Sequence, residues 1–118
     1  MNKQFIEIIL NEKLIDYTIK GKTLIYNAGQ ETCRVHLNLF AEMCIEYCWK
    51  NGYEIEISKS RVDALWTSYI HWFERFENST EWECVESNVD TYEDVDYCEC
   101  IFKTTNAVIL LHKQSLKD

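Results

Sequence analysis

Two groups of side chains in this chain have the types and spacing to do chemistry: its six cysteines and its carboxylates. Cys44 and Cys48 stand four apart, so on a helix their sulfurs share one face. Cys98 and Cys100 stand two apart and would share one face of a strand. Four thiolates so paired could surround a zinc ion tetrahedrally. The spacings lack the Cys-x-x-Cys knuckle, and no glycine-bearing turn accompanies them. Thiols of this kind in a reducing compartment pack as small hydrophobes, and that is the preferred reading. A redox role is disfavoured because acidic neighbours raise a thiol's pKa. His36, His71 and His112 are scattered, and sequence spacing pairs none of them with a nucleophile.

The carboxylates are concentrated. The segment 74–99 holds ten acids and one base, Arg75, a net of −9. Eleven bases and ten acids elsewhere come to +1, which accounts for the −8 of the whole chain. The chain is therefore a nearly neutral protein with one anionic stretch, threaded by Trp82, Tyr92 and Tyr97. Asp90, Glu93, Asp94 and Asp96 could gather around a divalent ion, but the acid order and the glycine of a calcium loop are missing. No phosphate-cradling glycine loop is present either, which argues against nucleotide chemistry. No cofactor is implied.

Elements must position these groups. With 118 residues and 47% hydrophobic content, one ordinary globular domain, residues 1–118, is expected. Phe5 to Leu10 suits either helix or strand, and its isoleucines favour a strand. Residues 14–19 and 23–26 alternate around Lys20-Gly21-Lys22, a hairpin with Gly21 in the turn. Asn27 to Gln30 reads as a loop. Leu37, Phe40, Ala41, Cys44, Tyr47 and Cys48 recur at helical spacing, predicting a helix over Cys33–Asn51 capped by Thr32 and ended by Gly52. Glu46 and Lys50 pair along its polar stripe. Residues 53–57 alternate as a strand. A second helix is expected over Arg61–Glu77, capped by Ser60 with Asp63 closing a box. Strands are expected at 81–84, Asp94–Lys103 and Ala107–Leu111, with a turn at 104–106. The last of them is unbroken in apolarity and should be interior, with Ile109 and Leu110 near the sheet centre. The fold class expected is α+β: two helices on one face of a four- to five-stranded, mainly antiparallel sheet.

A concentrated anionic field attracts basic partners and repels nucleic acid and anionic membranes. No apolar run approaches the ~20 residues of a membrane helix, and Glu7 interrupts any leader-like core, so a cytoplasmic protein is expected. The candidate partner-binding residues are Glu77, Glu81, Trp82, Glu83, Glu86, Asp90, Tyr92, Glu93, Asp94 and Asp96. Aromatics with a charged surround have the composition of a binding hot spot. Alternation leaves Trp82 or Tyr92 as the anchor, according to which one faces the core. The expected partner is a basic protein, either a toxin nuclease or a nucleic-acid-binding defence protein, with no direct contact to nucleic acid or membrane. In size and charge layout alone, the chain resembles small acidic inhibitors: bacterial immunity proteins against nuclease toxins, and phage proteins that block host defence nucleases. No family motif matches, so no residue role is carried over. Two other classes stay open. One is a metal-binding or small enzyme domain built on Cys44, Cys48, Cys98 and Cys100 or on the acidic loop. The other is a homo-oligomer joined through Trp66, Trp72 and Phe76; the expected state is a monomer or small homo-oligomer.

Overall fold

The computed structural model describes residues 1–75 and 82–117. The class is α+β. In chain order the elements are α1 (Lys3–Leu10), β1 (Asp16–Lys20), β2 (Thr23–Ala28), β3 (Glu31–His36), α2 (Leu37–Lys50), β4 (Tyr53–Lys59), β5 (Trp66–Arg75), β6 (Trp82–Asp94) and α3 (Tyr97–Lys117). Instead of one larger sheet, the strands form two three-stranded antiparallel sheets, β1-β2-β3 and β4-β5-β6. The chain divides into two compact units, Met1–Cys44 and Ile45–Asp118, so the first eight residues of α2 belong to one and the last six to the other.

The first unit opens with a helix where the isoleucines favoured a strand. The Asn2 side chain accepts the Phe5 N–H at 2.8 Å, and Asn11 closes the helix in the left-handed conformation at φ 54. Phe5, Ile6 and Ile9 fall on one buried stripe, so helical spacing outweighs β-branching here. The expected hairpin forms, with Gly21 at φ +60. Asn27–Gln30 is not a free loop: Gly29, at φ +61, turns β2 directly into β3. Thr32 therefore lies in a strand, and the next helix starts at Leu37, four residues later than its apolar spacing suggested. The Asn38 N–H at that start donates to His36 Nδ1 at 3.1 Å. Leu24, Phe40 and Ala41 are fully buried, and the Phe5 and Phe40 rings meet edge to face.

The second unit departs further. The helix expected over Arg61–Glu77 is strand β5 over its described part. Ser60 Oγ and Asp63 Oδ1 do accept nearby N–H groups, from Val62 and Leu65, but they close a turn rather than cap a helix. The apolar face assigned to that helix was too broad. Ser68 and Ile70 are fully buried while Thr67, Tyr69, His71 and Phe73 on the alternate positions are half-exposed, which is the period of a strand.

Conversely, the strands expected at 94–103 and 107–111 and the turn between them are one helix, α3. Cys98, Ile101, Phe102, Thr105, Val108 and Ile109 are buried at spacings of three and four. Leu110 falls off that stripe and is 53% exposed, so it is not at a sheet centre. Thr104 and Thr105 are β-branched, yet both sit inside the helix because their hydroxyls donate to the carbonyls of Cys100 and Ile101, each at 2.7 Å.

Helix α3 lies on one face of β4-β5-β6. Ser68 Oγ hydrogen-bonds Thr104 Oγ1, the Cys100 thiol donates to the Trp66 and Tyr92 carbonyls, and Trp66 meets Tyr97 edge to face at 5.0 Å. Cys48, Tyr53, Ile70 and Val108 close the core of this unit. Among the described residues no helix is long and apolar enough to cross a membrane.

Candidate functional site

Cross-strand partners in a sheet project from the same face, so the register of β4-β5-β6 sorts its side chains. Tyr53, Ile55, Ile70, Trp72 and Ser68 take the face against α3. Glu54 pairs with His71, Glu56 with Tyr69, and Thr67 with Glu93, so those side chains share the opposite, outward face. The exposed acids on that face come from two strands that are not neighbours. Glu54 and Glu56 lie on β4, Glu93 lies on β6, and half-exposed Thr67, Tyr69, His71 and Phe73 of β5 run between them. His71 Nε2 meets Glu56 Oε2 at 2.8 Å. At the far end of the sheet, Glu74 and Glu83 stand directly opposite each other, both exposed. Like charges in that position repel.

The ten residues expected at a partner surface are not equivalent. Glu77 and Glu81 lie outside the described residues. Glu86 and Asp90 are on β6, where Glu86 is the register partner of Trp72. Glu83 and Glu93 are exposed. Asp94 and Asp96 are engaged in building the turn from β6 into α3. Asp94 Oδ1 accepts the Asp96 N–H at 2.9 Å, and Asp94 Oδ2 lies 2.6 Å from Lys103 Nζ. The hydrogen bond from Lys103, and then that from the Asp96 amide, hold the Asp94 carboxyl below its ordinary range. Lys103 is raised in return, chiefly by its bond to Asp94. Asp96 Oδ2 accepts the Glu99 N–H at 2.9 Å, satisfying a free donor at the start of α3.

The two aromatic candidates also separate. Tyr92 pairs with Ser68 and packs on the Cys48–Tyr53–Ile70–Val108 core, so it faces inward. Trp82 is 51% exposed. Its ring borders a cleft of about 390 Å³ where α2 turns into β4. Glu46, Trp49 and Lys50 of α2 line one side, Tyr53 and Glu54 of β4 another, and Phe73 completes it. Gly52 lies in the turn at φ +88, with its N–H bonded to the Trp49 carbonyl and its carbonyl to the Phe73 N–H. A Cβ there would stand 2.9 Å from the Phe73 carbonyl oxygen and 3.4 Å from Trp82 Cζ3. Glycine is thus what lets the two strands and the indole close together.

Cys44, Cys48, Cys98 and Cys100 are buried, Cys33 is half-buried and Cys84 is exposed. Burial pushes the Cys48 thiol up to about 12 and raises Cys100 as well, so both keep their protons at neutral pH, which makes them poor nucleophiles. Among the described residues no three His, Cys, Asp or Glu side chains come together to hold a metal ion. Trp66 and Trp72 do not form the helical contact stripe proposed for an oligomer. They lie on β5 against Tyr97 and Tyr53, and Phe76 lies outside the described residues.

Sequence reasoning missed Glu54, Glu56, Trp49 and Phe73. The first two were legible: Glu54-Ile55-Glu56-Ile57 alternates, which puts both acids on one side of a strand. Trp49 was legible too, since it falls three residues past Glu46 on the polar stripe of α2, where an indole has no packing role. Phe73 was hidden by the helical assignment of its segment. Neither a protein-family model, a curated protein nor a solved structure matches this chain.

Proposed function

We propose that this chain is a stoichiometric inhibitor that binds a basic protein through the outward face of β4-β5-β6, covering a surface that its partner uses for nucleic acid. The observation that carries this reading is the joint projection of Glu54, Glu56 and Glu93 from one face, with Tyr69, Phe73 and exposed Trp82 on the same side. Successive outward carboxylates along a strand stand ~6.6 Å apart, so Glu54 and Glu56 lay out a short ladder of charge. Acids spread over separate strands form a field rather than a line, and such a field speeds encounter with a basic groove. A toxin nuclease or a nucleic-acid-binding defence protein presents such a groove. A cytoplasmic setting suits a chain whose cysteines are thiols rather than disulfides.

The test uses Glu56 and Glu93, which project from that face, because Asp94 and Asp96 serve the fold. The native chain and a Glu56→Lys/Glu93→Lys form are used to capture proteins from the native host. The native form should retain a basic protein that competes for nucleic acid. The reversed form should associate at least about tenfold more slowly at low salt, with a flatter salt dependence. Equal recovery of one partner by both forms would make the face merely solvated and the reading wrong.

A further inference from the structure

We infer that the cleft at the α2–β4 turn is a socket for a single arginine side chain presented by a protein partner. For the source of that arginine the inference rests on the basic partner proposed above; the chemistry of the socket stands on its own lining. The cleft, at about 390 Å³, is at the small end of ligand sites, too small for an element of structure and sufficient for one extended side chain. Its walls are aromatic: Trp49 and Trp82 are 62% and 51% exposed, with Phe73 between the strands. Both indoles line the one cleft while largely exposed, so an occupant seated there would cover aromatic surface.

The charge selects which occupant. Glu46 and Glu54 line the cleft against one base, Lys50. Lys50 is bound only loosely to Glu46, at 3.8 Å with both side chains largely exposed, and such pairs hold weakly. Glu54 enters no ion pair among the described residues. Aromatic faces with a spare carboxylate are the complement of an organic cation. Guanidinium is favoured over ammonium because it is planar, weakly hydrated and able to stack on an indole while its edge bonds a carboxylate. Glu54 and Phe73 belong to the outward face, so the socket opens beside Glu56 and the rest of the acidic field. A long cationic side chain from a protein seated on that face can reach it.

The experiment titrates the full chain with the capped tripeptide acetyl-Gly-Arg-Gly-amide and follows the four indole N–H signals by NMR. The twins of the probe carry citrulline or lysine in place of arginine. The Trp49 and Trp82 signals should shift saturably, while Trp66 and Trp72 hold still and report an intact fold. Citrulline should bind at least about fivefold more weakly, and Glu54→Gln and Trp49→Ala should each weaken arginine binding about fivefold. No saturable shift at Trp49 and Trp82, or equal binding of the citrulline twin, overturns the socket. Equal or tighter binding of the lysine twin overturns its assignment to guanidinium. Glu93→Lys separates the two proposals, since it should leave peptide affinity within about twofold while slowing partner association. Peptide binding with charge-insensitive capture sinks the partner reading alone, and charge-sensitive capture with no peptide binding sinks the socket alone.

Discussion

The two sheets are both three-stranded antiparallel meanders, yet they are built for different ends. In β1-β2-β3 every residue of the paired segments keeps its partner, from Asp16↔Asn27 to Lys20↔Thr23 and from Thr23↔His36 to Ala28↔Glu31. Two-residue turns at Gly21-Lys22 and Gly29-Gln30 set that register. The strand charges cancel, Asp16 and Glu31 against Lys20 and Arg34. In β4-β5-β6 the register slips twice along β6, and β6 alone carries five acids and no base. Register against β6 holds from Trp66 to Tyr69, where Ser68 is buried under α3 and bonds Thr104. The slips fall between Tyr69 and His71 and between Trp72 and Phe73, toward the end that holds Trp82 and the cleft. Irregular, re-aimed strand ends of this kind are where sheets place binding side chains. One sheet is plain scaffold; the other combines a fixed inner face with an irregular, charged outer one.

The largest expected effect tests that inner face. Ile70 is fully buried between Tyr53, Cys48 and Val108, so Ile70→Ala should cost about 2–5 kcal/mol in urea unfolding. Leu110→Ala, off the buried stripe of α3, should cost under about 1 kcal/mol. Equal losses at the two positions would mean that α3 does not present Val108 and Ile109 to the sheet as described.

That pair of residues also shows what could be read beforehand. The α+β class, the hairpin at Gly21 and the helix stop at Gly52 follow from local chemistry, because a glycine at positive φ needs no tertiary partner. Segments 66–75 and 97–111 were exchanged between strand and helix for one reason. Aromatic and β-branched side chains fill both, and an apolar run rich on every side satisfies both periods. Tertiary burial decided: α3 covers Ile70 and Ser68, and the threonines of α3 found carbonyls four residues back. The acidic stretch was visible as composition, but its division into labour was not. Asp96 looks like Glu93 in sequence, and only the turn into α3 makes one a cap and leaves the other exposed.

The second effect contrasts the glycines of the two sheets. Gly21 has positive φ and open space around its missing Cβ, so Gly21→Ala should cost about 1 kcal/mol of backbone strain alone. Gly52 adds the 2.9 Å approach to the Phe73 carbonyl, which is backbone and cannot swing aside. Gly52→Ala should therefore cost about 2–4 kcal/mol and shift the indole signal of Trp82. If both substitutions cost the same, the cleft end of the second sheet is as loosely set as a surface hairpin, and the contrast between the sheets fails there.

The smallest effect is the most specific to the charged sheet, and its sign is unusual. Glu74 and Glu83 are exposed and directly opposed across β5 and β6. Their repulsion is a cost the fold carries with no partner present. Glu83→Lys turns it into an attraction, so it should raise stability by about 0.2–1 kcal/mol at low salt, even though most substitutions destabilise. The gain should shrink as salt rises through a few hundred millimolar, because the pair is screened by water and ions. A matching reversal in the plain sheet, Arg34→Glu, lacks such an opposed pair, since Arg34 faces Ile25 across the strands, and should give no gain. Glu83 shares the face of Trp72, away from Glu54, Glu56 and Glu93, so the same change should leave association with a partner on the outward face within about twofold. Should Glu83→Lys destabilise the chain, the repulsive pair is absent and Glu83 holds the fold instead.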